Sequence, residues 1–87
     1  MPTTAGTGSE VTPISIVTTP THEKKGVVSS LLYPDVALLD AKLTMGLPAP
    51  ITGMTGIDAM VHAIEAYTTK HKKNALSDGL AIRAMQL

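Results

Sequence analysis

An aspartate and a histidine, Asp58 and His62, stand four residues apart in a stretch of helical character. Residues with this spacing are neighbours on one face of an α-helix, so both side chains can reach a single divalent cation. Carboxylate oxygen and imidazole nitrogen suit Fe²⁺, Zn²⁺ or Mn²⁺ better than Ca²⁺. An Asp–His hydrogen bond in the core, or an exposed capping pair, is the alternative that the spacing leaves open. Glu65, one turn further, either supports such a site or faces solvent.

A second group of polar residues begins the chain. Residues 1–12, the threonine loop, are dominated by Thr, Gly, Ser and Ala. Its glycines and hydroxyls can present N–H and O–H donors to a phosphate or to a nicotinamide amide. The loop has neither the GxGxxG pattern nor the P-loop lysine, so a flexible tail is the alternative interpretation. Lys24 is predicted in a turn between strands, where it either neutralises a cofactor phosphate or is simply solvated beside Glu23 and Lys25.

The elements that must position these residues begin with a β part. β-Branched runs at 14–17 and 27–28 predict two strands joined by a polar turn at 20–23. The segment 35–40, DVALLD, is short, apolar and bounded by acids, and it predicts a third, buried strand. Its last residue, Asp40, is predicted to cap the following helical turn.

An α part comes next. The apolar spacing predicts a long helix from about Pro50 to Thr69, with a proline in its first turn, where the missing N–H is not needed. Because its apolar arc is wide, this helix and the Asp–His pair on it are predicted to be largely buried. A last helix is predicted over 75–87, capped by Asn74 or Ser77.

Composition limits the classes of partner. The 87 residues carry seven basic and seven acidic side chains, and this neutral balance offers no field to attract nucleic acid or an acidic membrane surface. The absence of cysteine excludes disulfides and thiolate metal sites and agrees with a cytoplasmic location. No signal peptide or membrane-spanning run is recognisable. Small size, the lack of Phe and Trp and the uncapped helical pattern at Leu87 favour a piece of a larger protein.

In this order, the motifs resemble those of the iron-containing (group III) alcohol dehydrogenases. PTTAGTGSE near the start and GIDAMVHAIEAY at 56–67 are specific signatures, with YPDVALLDAKLT between them and Ser-Asp at 77–78 after them. The resemblance implies an α+β segment of a two-domain, dehydroquinate-synthase-like fold. Residues 1–46 would complete a Rossmann-like nucleotide domain with short β-strands, and residues 47–87 would open an all-helical metal-binding domain.

The resemblance also assigns roles to individual residues. Asp58 and His62 would be two of four ligands to a catalytic Fe²⁺, with Zn²⁺ as a substitute. Contacts to the cofactor, NAD or NADP, would come from four threonines and one lysine: Thr3, Thr4, Thr7, Thr12 and Lys24. The family's other two ligands are histidines on later helices, and the next position on the same helical face here is Ala66. Two ligands leave a cation weakly held.

The implied reaction is hydride transfer between an alcohol and NAD(P), giving an aldehyde or ketone. A small-molecule alcohol or aldehyde would be the substrate, and a homo-oligomer the assembly. We expect the isolated chain to be inactive. One alternative is a catalytically dead remnant that acts only as a binding or assembly module. Another is an unrelated metal-dependent hydrolase, which would need a third ligand and a base within the chain; His71 is the nearest remaining imidazole.

Overall fold

The chain folds into a two-stranded antiparallel sheet followed by two helices, as described for residues 1–87 by a computed structural model. The elements are β1 (Ile14–Thr18), β2 (Lys24–Val28), α1 (Ala49–Thr68) and α2 (Ala75–Gln86). Short 3-10 turns at Ser9–Val11, Ser30–Leu32 and Ala41–Thr44 lie between them. The predicted α+β composition, with strands first and helices second, is confirmed.

The two strands form a hairpin. Ile14 pairs with Val28 at one end, and Thr18 pairs with Lys24 at the other. β-Branched residues suit this arrangement because their side chains pack well on a pleated surface. The prediction of two strands is correct, but the placement of Lys24 in the turn is wrong. Lys24 is the first residue of β2, and the turn comprises residues 19–23.

The predicted third strand is absent. Residues 35–40 run as irregular chain without a backbone ladder, and Val36 and Leu39 are 77% and 68% exposed. A strand needs a neighbour to accept and donate its backbone hydrogen bonds, and no other segment of the chain pairs with this one. The capping role of Asp40 is confirmed, since its Oδ1 accepts a hydrogen bond from the Lys42 amide at 3.0 Å.

The two helices begin and end close to the predicted residues. Pro50 lies in the first turn of α1, and the Thr69 amide closes the helix on the Glu65 carbonyl at 2.9 Å. Asn74 caps α2, its Oδ1 accepting from the Ser77 amide at 2.9 Å. Of the two predicted capping residues, the cap is therefore Asn74. Neither helix combines the length and apolar character that crossing a bilayer requires.

Small side chains and one lysine join the helices. Ala63 on α1 and Ala81 on α2 are the two buried residues, 6% and 5% exposed, and their small size lets the helices approach. In the connecting loop, the Lys73 ammonium donates to the Tyr67 carbonyl and to Asp78 Oδ1, the latter at 2.9 Å. It also lies 4.7 Å from the centre of the Tyr67 ring. Lys73 thus ties the end of α1 to the start of α2.

Most of the apolar surface is uncovered. The accessible surface is 7127 Å², whereas a compact protein of this mass exposes about 4,900 Å². The radius of gyration is 14.6 Å, against about 12 Å for a compact chain of this length. The prediction of a largely buried α1 is wrong for this chain: Met54 and Ile57 are 63% and 59% exposed. The reason is that α2 is the only regular element packed closely against α1.

Candidate functional site

Helix α1 directs Asp58 and His62 toward the same point. Asp58 Oδ1 lies 3.8 Å from His62 Nε2, and the two side chains are 47% and 55% exposed. The prediction that they lie in a buried stripe is therefore wrong, because only the open threonine loop lies near this face of α1 and it leaves both side chains about half exposed. The separation exceeds a normal hydrogen bond, and neither side chain has another polar partner in the chain. Both donors are free to turn toward a third atom.

The donor spacing is close to that of a shared cation. A tetrahedral ion bound about 2.1 Å from each donor would hold oxygen and nitrogen about 3.4 Å apart. Small rotations about the side-chain torsions suffice to shorten the observed 3.8 Å between the two donors to this distance. The pair therefore fits Fe²⁺ or Zn²⁺, which accept both donor types. No third His, Cys, Asp or Glu in the chain, His71 included, completes a cluster with it.

The threonine loop lies against α1 close to this pair. Gly6 approaches the helix so closely that a Cβ there would lie 2.7 Å from the Thr55 carbonyl oxygen. Gly8, at φ +66°, then directs the chain into the short turn at Ser9–Val11. Three side-chain hydrogen bonds hold this turn in place, the first from Thr7 Oγ1 to Ser9 Oγ at 3.2 Å. Thr7 Oγ1 accepts from the Ser9 amide at 3.4 Å, and Thr12 Oγ1 donates to the Ser9 carbonyl at 3.2 Å.

An open cavity of about 470 Å³ separates the loop from the helix. Its lining comes from the loop on one side and from α1 on the other: Thr7, Gly8 and Thr12, then His62, Glu65, Ala66 and Thr69. This volume is in the range of small-molecule sites. Two of the predicted cofactor residues, Thr7 and Thr12, thus share a cleft with one of the predicted metal ligands.

The remaining predicted threonines lie elsewhere. Thr4 lines a second cavity, of about 360 Å³, together with Glu10 and Asp40. Thr3 is exposed and lines neither cavity. The five predicted cofactor residues are therefore not gathered at one point in this chain. Thr7 and Thr12 line the same cavity as His62, and Thr4 lines the other cavity. Thr3 and Lys24 line neither.

The two neighbouring lysines of β2 differ in their surroundings. Lys25 Nζ lies 3.6 Å from Glu23 Oε2 in an exposed ion pair. Lys24 makes no ion pair or side-chain hydrogen bond. Successive residues of a strand point to opposite faces of the sheet, so the two ammonium groups cannot substitute for each other. Of the two, Lys24 is the cation free to meet an anionic group.

The sequence leaves Glu65 a supporting role at the metal site but assigns none to Thr69 or Gly6. Glu65 and Thr69 follow His62 at helical spacing, which places them on one face of α1 and along the cavity. That spacing is readable in the sequence, where it points to Glu65, and it could have identified Thr69 as well. Gly6 is different. Its close approach to Thr55 joins residues 49 positions apart, and no local pattern reveals such a contact.

Comparison with known proteins identifies the family to which both parts of the chain are similar. The family model "Iron-containing alcohol dehydrogenase" matches residues 1–41, and "Fe-containing alcohol dehydrogenase family, C-terminal" matches residues 52–87. The chain is 49% identical to the sulfoacetaldehyde reductase of Bilophila wadsworthia and 48% identical to the probable alcohol dehydrogenase EutG of Escherichia coli, each over 88 aligned residues. It is 47% identical over 87 residues to the long-chain-alcohol dehydrogenase 1 of Geobacillus thermodenitrificans.

Each of these alignments covers 100% of the chain but 22% of the relative. The chain therefore spans about a fifth of the length of the relatives it matches. Two models of one family match all of the sequence except the short stretch between residues 41 and 52. From these matches we conclude that the chain belongs to the iron-containing alcohol dehydrogenase family.

Proposed function

We propose that this chain supplies two metal ligands and part of the cofactor site of an iron-type, NAD(P)-dependent alcohol dehydrogenase. The reaction is reversible hydride transfer between a small alcohol and the nicotinamide, giving an aldehyde or ketone. One observation carries the proposal: Asp58 and His62 present donors 3.8 Å apart, and His62 faces Thr7 and Thr12 across one cleft. A metal ligand and cofactor-binding residues that line one cavity are what such a transfer needs.

The chain's own residues hold and orient the reactants. Asp58 and His62 would hold Fe²⁺, or Zn²⁺ in its place, and the bound ion would supply Lewis-acid chemistry that lowers the pKa of the alcohol and polarises the product carbonyl. His62 must offer a neutral Nε2 lone pair for this role. Across the cleft, the hydroxyls of Thr7 and Thr12 bind the cofactor, and Lys24 neutralises part of its phosphate charge. Fixing both reactants in one geometry supplies a large share of the rate enhancement.

The wider organisation is part of the same proposal. Residues 1–46 belong to a Rossmann-like nucleotide domain and residues 47–87 to a helical metal-binding domain of a dehydroquinate-synthase-like fold. The junction between the two family models, at residues 41–52, supports this division. We further propose a cytoplasmic homo-oligomer that engages neither nucleic acid nor membrane. With two ligands of four, the 87 residues alone should be inactive.

A hybrid enzyme tests the proposal. The 87 residues replace the matching segment of the Geobacillus long-chain-alcohol dehydrogenase 1, which aligns over 87 residues. The hybrid should oxidise the alcohols of its parent, as followed by nicotinamide absorbance, and should retain bound metal. Asp58→Ala and His62→Ala should each lower activity by at least roughly 100-fold together with metal content. His71→Ala, which removes a loop imidazole outside the cleft, is the matched control.

The alternative is a remnant that serves only binding or assembly, and the exposed apolar surface agrees with either function, since a partner or the rest of the enzyme would cover it. The accessible surface of 7127 Å² exceeds that of a compact protein of this mass by about 2,200 Å². This excess is comparable to the area buried in an obligate protein interface. The hybrid separates the two functions. A hybrid that folds and assembles but stays inactive, with metal content unaffected by Asp58→Ala, would favour the alternative and refute the catalytic proposal.

A further inference from the structure

The threonine loop approaches α1 closely at a residue without a side chain. A Cβ built on Gly6 would lie 2.7 Å from the Thr55 carbonyl oxygen and 3.4 Å from Ala59 Cβ. The first distance is shorter than any real Cβ contact. Because the obstacle is backbone inside a helix, it cannot swing aside as a flexible side chain would. Any residue other than glycine must push the loop outward from the helix.

Backbone conformation alone does not explain this glycine. Gly6 has φ +108° and Gly8 has φ +66°, both in the region that L-residues rarely adopt. A Cβ on Gly8 would meet nothing within 4 Å, however, and the same is true of the five later glycines. Gly6 therefore combines two demands, a left-handed backbone and contact with the helix. Of the seven glycines, it is the one that the packing itself requires.

The contact lies beside the cleft, while Gly6 itself lines the other cavity, with Thr4. Thr55 precedes Asp58 by about one turn of α1, and Ala59 directly follows Asp58 in the sequence. On the loop side, Gly6 is followed at once by Thr7, which lines the cavity opposite His62. We infer that Gly6 is a positioning residue, which seats the cofactor-binding loop on the metal-binding helix and sets the width of the cleft between them. The inference rests on the proposed function of Thr7 and of the Asp–His pair.

A methyl group at Gly6 should affect turnover more than metal binding. To lengthen the contact from 2.7 Å to an ordinary 3.4 Å, the loop must retreat by roughly 0.7 Å. Displacement of a positioning group by about 1 Å can cost on the order of 100-fold in rate. Asp58 and His62 are held by the helix itself, so their spacing should not change. The expected signature is a fall in kcat and a rise in the cofactor KM at constant metal content.

The experiment uses the hybrid enzyme with Gly6→Ala. We expect kcat to fall roughly 10- to 100-fold and the cofactor KM to rise, with metal content within about twofold of the unmodified hybrid. Ala59→Val approaches the same contact from the helix side without the positive φ, so it tests the inference even if Gly6→Ala does not fold. It should cause the same kind of loss. Gly79→Ala, in open space on α2, should leave kcat unchanged.

The outcomes separate this inference from the proposed function. If Gly6→Ala and Ala59→Val both keep kcat within about threefold while Asp58→Ala abolishes activity, the positioning role is refuted and the proposed function stands. Loss of metal in parallel with kcat in these two variants would mean a general structural role and would also overturn the inference. If Asp58→Ala has no effect on the hybrid, the proposed function itself fails.

Discussion

Asp58 and His62 should bind one divalent cation together, as a chelate, in the 87-residue chain. The loss of affinity on removing either side chain should be measurable without any catalytic assay. The perturbation is Asp58→Ala, His62→Ala, or both together. Each single variant leaves one exposed donor, which binds a metal ion no better than a free carboxylate or imidazole. The wild-type chain offers two donors fixed 3.8 Å apart on one helix.

The size of the effect is set by that distance. One group confined within 3.8 Å of the other corresponds to a local concentration of roughly 7 M, and this effective concentration multiplies the affinity for the second donor. If the second donor alone has a dissociation constant of about 0.1 to 1 M, the pair binds roughly 10- to 100-fold tighter than either donor. This corresponds to about 1.4–2.8 kcal/mol. Closing the donors to about 3.4 Å for a tetrahedral ion requires only small torsional adjustments.

Calorimetric titration with Zn²⁺ measures this directly. Both single variants should weaken binding, because loss of one donor already removes the chelate. The double variant should retain only the background binding of the chain's other side chains. His71→Ala is the control for adventitious imidazole binding, and circular dichroism confirms that α1 persists in every variant. Equal affinity in wild type and Asp58→Ala would refute the reasoning.

Three further predictions concern neighbouring features. In the hybrid, Lys24→Ala should raise the cofactor KM roughly 10-fold. Lys25→Ala should raise it by less than about twofold, because Lys25 is already ion-paired and lies on the other face of the sheet. Equal effects of the two substitutions in steady-state kinetics would contradict this prediction. Lys73→Met should lower the free energy of unfolding by about 1–2 kcal/mol in denaturant titrations, since it removes the tie between the helices. Asn74→Ala should cost about 1 kcal/mol through loss of the α2 cap, and an unchanged melting temperature would exclude that role.

Local features of the fold were predictable because local interactions create them. The side-chain period of a helix places Asp58 and His62 together wherever α1 forms. The caps by Asp40 and Asn74 each involve hydrogen bonds to residues two or three positions away. The hairpin likewise joins segments that are adjacent in sequence. The family resemblance, carried by short signatures, could be recognised from the sequence for the same reason.

Features that join distant segments required the tertiary structure. The sequence offers four equivalent threonines in the loop, and only packing against α1 brings Thr7 and Thr12, rather than Thr3 and Thr4, to face His62. The segment 35–40 has the composition of a strand but no strand beside it. The sequence-based prediction overestimated the burial of α1. A wide apolar arc indicates a surface that favours being covered, but the elements packed against the helix decide whether it is covered. Contacts between residues far apart in sequence depend on how whole elements pack, and no local periodicity encodes them.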